Sequence, residues 1–492
     1  MLRPLMAVPE ARSRLARLRT HLTYAAYGLG QMAEGLKNGS FEVYIFFYYT
    51  SVLGLSGSLA GLATFLALFF DAVSDPVVGS LSDRTRHRFG RRHPWLYVSP
   101  VPLALLFVGL FRPPGGLGEM GLFAWLFVFA VLTRLAITLF HVPHMALGAE
   151  LSEDYGERTT IVGYRTFFAL FGAGLAAVAG LRFFFAPSEA YPDGRLDPAQ
   201  YPPYAVAAAL CMLFAMYLCA LGTHHRIATL RPVRHDLEAW SLRRVWREMR
   251  EALANRSFRA LFLGVIVFSV TRGVQTTLGL HMGTYLWQLT KGQLAQVNAT
   301  FLAGFLLGVP FWTVVSRRVD KRPTILLGVT IFSLFVFAPP ILWILDWFPA
   351  RGTLAYMGTL LWMAFVAAFG GSAGLIAAGS MMADIADEHE LRVGRRQEGV
   401  FFGALAFSQK SASGLGILFA GLGIDAIAFP LQAEVGSVPR SVLVKLGILY
   451  GPGILVLALI AFGILLGYRL DRARHAEIVA ALDARRRGAR AG

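Results

Sequence analysis

The sequence predicts an all-α, polytopic membrane protein of about twelve transmembrane helices in two six-helix halves, and three observations predict it. The 492 residues are 55% hydrophobic and only 15% charged, whereas a soluble domain carries about a quarter charged residues. Apolar runs long enough to cross a bilayer recur along the whole chain. Between them the basic residues fall in short clusters that alternate with short or mixed loops, as positive-inside topology requires.

Taken in order, the apolar runs place spans near 24–52, 58–81, 95–112, 119–147, 159–186, 203–222, 258–288, 294–316, 323–346, 353–382, 398–427 and 441–469. Residues 1–23 read as a cytoplasmic N-terminal tail rich in arginine rather than a signal peptide. Residues 24–222 form an N-terminal six-helix half, 223–257 a cytoplasmic amphipathic linker, 258–469 a C-terminal six-helix half, and 470–492 a cytoplasmic C-terminal tail. Arg84, Arg86, Arg88, Arg91 and Arg92 follow the second span, and Arg317, Arg318, Lys321 and Arg322 follow the eighth. With the linker and the C-terminal tail they fall on one side, which places both termini in the cytoplasm and the protein in the inner (plasma) membrane.

The net charge of +16 could suggest nucleic acid, but arginines interleaved with spans do not make a groove-reading module. Cys211 and Cys219 lie in one apolar segment, so they read as buried, inert thiols on roughly one helix face, without a disulfide framework or metal set. No nucleophile–base pair or metal cluster stands out, and the sequence does not read as an enzyme.

The two halves repeat one pattern. Gly79-Ser-Leu-Ser-Asp83-Arg84 leads to Arg91-Arg92 after the second span, and Gly308 opens a stretch ending Ser316-Arg317-Arg318-Val319-Asp320-Lys321-Arg322-Pro323 after the eighth. Ala149-Glu150 after the fourth span matches Ala383-Asp384 after the tenth. Two-half carriers hold their solute between the halves.

Charged side chains inside spans are the candidate site. Asp71 and Asp75, four apart on the second span, share a helix face. Two carboxylates in hydrocarbon are costly unless they bind a cation, share a proton or pair with arginines at the helix end. Lys410 lies well inside the eleventh span, where an ammonium needs a counter-charge. Arg134, Thr138 and His141 recur at helical spacing on the fourth span. His141 and His144 flank Pro143, either as a proton relay or as core histidines. Glu34 and Lys37 can pair across one turn of the first span or face a solute. Arg165 on the fifth span either faces the solute or pairs with Glu150 or Asp154. Asp83 with Arg84, and Asp384 with Arg396, read as gate salt bridges between halves that switch with state.

The stretch Phe70-Asp71-Ala-Val-Ser-Asp75-Pro76 through Arg91-Arg92-His-Pro94-Trp95 resembles the glycoside–pentoside–hexuronide:cation symporters, the melibiose-permease-like family of the major facilitator superfamily. Tyr48-Tyr49-Thr50, Tyr164-Arg165-Thr-Phe167-Phe168, Met382-Ala383-Asp384-Ile-Ala-Asp387, Glu398 and Lys410 extend the resemblance over nearly all the membrane part. It implies the major facilitator fold and sodium- or proton-coupled uptake of a sugar or glycoside by alternating access. It further implies a cation site at Asp71, Asp75 and Thr138, with Lys410 in coupling and Arg165 in solute binding. No metal beyond a Na+ at Asp71 and Asp75, no cofactor and no nucleic-acid partner are expected, and the chain is expected to be a monomer in lipid.

The sequence departs from that pattern at the sugar pocket. Gly35 and His141 stand where the family has acids, and Met145 and Leu375 where it has tryptophans. Sugars need carboxylates for their hydroxyls and aromatic faces for their C–H surfaces, so this pocket is more apolar. Phe140-His141-Val142-Pro143 also resembles the sodium-dependent lysophosphatidylcholine symporters, which makes an amphiphile the alternative solute. A transport-inactive membrane sensor is the alternative of another class. The expected solute-binding set is Arg165, His141, Arg134, Met145, Leu375, Glu34 and Gly35.

Overall fold

The computed structural model describes residues 8–152, 154–229, 250, 253–393 and 398–491. Among them the chain is helical, with no β-strand. The twelve passes are α1 (Val8–Ser40, running on through wider π turns at Phe41–Ile45 and Tyr48–Val52), α2 (Gly57–Arg84), α3 (His93–Leu110), α4 (Glu119–Glu150), α5 (Tyr155–Gly174, then a π turn to Gly180) and α6 (Tyr201–Thr223). They continue with α7 (Arg256–His281, then a π turn to Leu286), α8 (Lys291–Arg318), α9 (Lys321–Ile344), α10 (Leu354–Val393), α11 (Glu398–Ala426) and α12 (Arg440–Leu465). Ten helices among the described residues are long and apolar enough to cross a membrane. The first and eleventh passes, which carry Glu34, Lys37 and Glu42 and Lys410 respectively, fall outside that ten.

Local sequence explains several boundaries. Asp154 accepts from the Glu157 N–H at the start of α5, and Asn255 accepts from the Phe258 N–H at the start of α7. Thr290 and Gln293 close a reciprocal capping box on α8. Pro76, Pro143, Pro310, Pro339 and Pro340 sit inside α2, α4, α8 and α9. Each removes a helical donor, which membrane helices tolerate because neighbouring groups satisfy the freed carbonyl.

The chain divides into two compact units, Met1–Ile45 with Phe70–Glu238, and Phe46–Phe69 with Ala239–Gly492. The end of the first pass and the start of α2 therefore group with the second unit, across the boundary expected from sequence. In the first unit α1 packs on α5 and α6, and α3 packs on α4 and α6. In the second, α7 packs on α11 and α12, and α9 packs on α10 and α12. These pairings correspond between the units, and in the second unit α8 also packs on α10.

Glycine makes the tightest of these crossings. A side chain on Gly35 would strike the Ala169 carbonyl, and one on Gly172 would strike the Met32 carbonyl, so α1 and α5 meet backbone to backbone. Gly273 and Gly416 do the same for α7 and α11, against the Ser413 and Val270 carbonyls. Gly35→Val is expected to lower stability by about 1–3 kcal/mol through overpacking. The check is a lower apparent Tm of the purified protein in detergent; an unchanged Tm would show that this crossing is loose.

Three expectations change at the edges of the fold. The N-terminal tail is not separate from the first span, because α1 is already helical from Val8. The C-terminal tail is a further helix, α13 (Arg472–Ala491), whose Ile478 and Leu482 are buried in a core with Met381, Met382 and Ile385 of α10. Apart from a short helical turn at His224–Thr229, Arg250 and the residues from Leu253 onward, the amphipathic linker lies outside the described residues. Cys219 is buried but Cys211 is exposed, because eight residues along a helix turn the face by about 80°.

Candidate ion and substrate site

The late part of α2 and the middle of α4 bring the predicted acids together. The Thr138 hydroxyl lies 2.8 Å from Asp71 Oδ1 and 3.3 Å from Asp75 Oδ1. It carries one proton and can donate to only one of them at a time. Asp71 is 4% exposed, while Asp75 is half-buried. Three oxygens thus converge from two helices. Such a hard donor set fits a small monovalent cation better than a soft metal.

Arg134, expected among the solute ligands, instead joins the acids. It sits one turn before Thr138, with Nη1 3.5 Å from Asp71 Oδ2. Its guanidinium lies over the Phe41 ring at 4.6 Å from the centroid, and the residue is 5% exposed. A planar cation both pairs with a carboxylate and stacks on a ring. The helical spacing of Arg134 and Thr138 was visible in the sequence; the rotation of α4 that turns both toward Asp71 was not.

The remaining solute candidates separate. Arg165 Nη1 contacts Met145 Sδ at 3.1 Å, which joins two members of the expected set. The alternative partners of Arg165 are engaged elsewhere: Glu150 holds Arg91 and Arg92, and Asp154 caps α5. His141 is half-buried on α4. His144 is a core histidine, with Nε2 2.8 Å from the Tyr27 carbonyl and its ring stacked on Tyr27 and Phe140. Glu34 forms the expected one-turn pair with Lys37 at 3.2 Å, and Asn38 bonds to both. Lys37 is 1% exposed, so this pair is part of the interior of the helix packing. Gly35 is corrected from a solute position to a helix-crossing position, since the Ala169 carbonyl fills the space beside it. Leu375, 59% exposed on α10, and Lys410, half-buried on α11, belong to the second unit.

Of the expected gate pairs, Asp83 takes another partner. Asp83 does not pair with Arg84, because adjacent residues on a helix point about 100° apart. Arg92 takes Asp83 instead, bonds Ser82 Oγ at 2.6 Å, and reaches Glu150 at 3.1 Å. Arg91 adds a second bond to Glu150 at 2.8 Å. In the other unit Asp384 pairs with Lys321 at 2.6 Å and with His475 of α13 at 3.3 Å. Arg396, its expected partner, lies outside the described residues. Within the first unit Arg91 and Arg92 tie the loop before α3 to the end of α4, and within the second Lys321 ties the start of α9 to Asp384 of α10. Sequence reasoning passed over Arg92, Lys321 and His475; the repeat offset that aligned Glu150 with Asp384 was the signal for the first two.

A further cluster was not anticipated. Residues 46–69, grouped with the second unit, are held by His281, whose Nε2 lies 3.3 Å from Thr50 Oγ1 and 3.1 Å from Ser51 Oγ. Asp425 of α11 caps the start of α2, accepting from the Gly57 and Ser58 N–H groups at 2.8 and 2.7 Å.

A helical bundle of repeated halves with carboxylates buried in its spans defines a polytopic membrane transporter rather than an enzyme. The chain belongs to the family described as MFS/sugar transport protein, whose model matches residues 26–472. It is 25% identical to the isoprimeverose transporter of Lactiplantibacillus pentosus, over 82% of this chain and 79% of that one. It is 24% identical to sodium-dependent lysophosphatidylcholine symporter 1 of Gallus gallus, over 96% and 90% of the two chains. Among solved structures, a bacterial homologue of the human lysosomal transporter Spinster superposes with a TM-score of 0.65 at 14% identity, covering 92% of this chain and 97% of that one. That likeness supports the fold.

Proposed function

We propose that this chain is a cation-coupled symporter that moves a small organic solute across the inner membrane by alternating access, with both termini in the cytoplasm. The observation that carries the reading is the convergence of Asp71, Asp75 and Thr138 oxygens inside the membrane-spanning part. Buried carboxylates in a span are retained where an ion passes. Asp71, Asp75 and Thr138 would hold Na+ or a proton, the ion supplying the gradient energy. Arg165, Met145 and His141 would face the solute, and Lys410 would couple the two events. The family relationship favours a sugar or glycoside.

A second solute class has its own support. Arg165 rests against the Met145 thioether, and a charged group beside apolar surface suits an amphiphile of the lysophospholipid kind, the solute named for the Gallus gallus relative.

A thermal-shift screen of purified protein against sugars and lysolipids, each with and without sodium and at two pH values, tests both. A bound ligand raises apparent stability by mass action. A sugar that shifts Tm more in the presence of cation, and that shows counterflow in proteoliposomes, is the expected result. The same behaviour with a lysolipid selects the second class. Ligand binding without counterflow would overturn transport in favour of a sensor.

A further inference from the structure

The acid pair carries a feature that a plain cation site does not need: a guanidinium fixed to one of its carboxylates. Arg134 is on α4, one turn from Thr138, with Nη1 3.5 Å from Asp71 Oδ2. Phe41 supports its plane at 4.6 Å, and the side chain is buried. The opposite oxygen of Asp71 receives the Thr138 hydroxyl at 2.8 Å. Asp71 is therefore divided, with a tethered cation on one oxygen and the converging oxygens of Thr138 and Asp75 on the other side.

From this arrangement we infer that Arg134 is a specificity-determining residue that competes with the coupling cation for Asp71 and sets which ion, at which concentration, the transporter accepts. The inference rests on the cation-site reading above. An ion entering between Thr138 and the two acids comes within several ångströms of the guanidinium. Two unit charges that close repel enough to change an ion's affinity by about tenfold or more, even at the effective dielectric of a protein surface. The burial of Arg134 and the ring beneath it limit its retreat to water, so the repulsion is built in. The positive charge supplied by the protein also reduces the charge that the ion must bring. A proton placed on Asp71 would leave the buried guanidinium uncompensated, so Arg134 opposes protonation of this acid as well as sodium entry, and the balance between the two ions is set at Arg134.

The test reads ion binding apart from transport. The apparent Tm of the detergent-purified protein is followed against NaCl, with choline chloride holding ionic strength constant, at each of several pH values, for wild type, Arg134→Gln and Arg134→Lys. Arg134→Gln is expected to lower the sodium concentration giving the half-maximal shift by about tenfold or more, or to create a sodium response where wild type has none. Arg134→Lys retains the charge and is expected to stay near wild type. If wild type responds and Arg134→Gln responds at the same or a higher concentration, the inference is overturned while the cation site stands. If neither responds to sodium or to pH, the inference and the cation site fall together. Should Arg134→Gln not yield folded protein, Phe41→Leu removes the ring beneath the guanidinium. A lower half-maximal sodium concentration in that variant supports the inference, and no shift overturns it.

Discussion

Asp71→Asn is expected to abolish cation-coupled uptake in proteoliposomes while the protein still inserts in the membrane. The substitution is nearly isosteric, and an amide oxygen can still accept from Thr138, 2.8 Å away in the native protein. What disappears is the negative charge between a buried arginine and the proposed ion. Removing one partner of a buried pair costs about 3–5 kcal/mol, chiefly because the other charge is left uncompensated. On the same scale the loss at the ion site exceeds about a hundredfold in affinity. Asp75→Asn should weaken coupling as well, with a smaller effect on folding, because Asp75 is half-buried. Uptake by the Asp71→Asn protein with wild-type cation dependence would remove this site from the mechanism.

The second large effect is structural. Arg92→Ala is expected to reduce folded yield and lower the apparent Tm more than any other single arginine substitution in its loop. Arg92 is buried, and its fork serves Asp83, Ser82 and Glu150 together. Its loss leaves Asp83 without its partner and Glu150 with Arg91 alone, at a cost of about 1–3 kcal/mol. Arg92→Lys should recover only part, since a point charge cannot bond three groups in one plane. Arg84→Ala serves as the comparison, because neighbouring sequence alone would make Arg84 the partner of Asp83. A surface charge costs within about 0.5 kcal/mol, so equal melting points for Arg92→Ala and wild type would show the cluster to be peripheral.

Much of the molecule was legible in the sequence, for a physical reason. Whether a segment crosses lipid depends on its length and summed hydropathy, and both are local. The apolar runs therefore correspond to the twelve passes, and the repeat of Asp83 and Arg92 against Asp320 and Lys321 anticipates matching ends of the two units. Boundaries moved where a helix continues beyond its apolar stretch. α10 runs to Val393 because Asp384 and His389 are buried within the protein rather than left to lipid. α1 starts at Val8, well before its apolar run. The tail beyond the last span gave little hydropathy signal, yet Ile478 and Leu482 at helical spacing were enough to dock α13.

The acids at 71 and 75, the hydroxyl at 138 and the arginines at 91 and 92 are facts of sequence. Helical spacing alone determined that Asp71 and Asp75 share a face and that Glu34 can reach Lys37. Tertiary structure decided the partners: Arg134 beside Asp71, Arg92 in place of Arg84 on Asp83, Lys321 on Asp384, and a backbone carbonyl beside Gly35. The reason is geometric. Hydropathy accumulates along a chain, but a charge finds its partner through the rotation and depth of two packed helices, and a shift of one residue turns a side chain by about 100°.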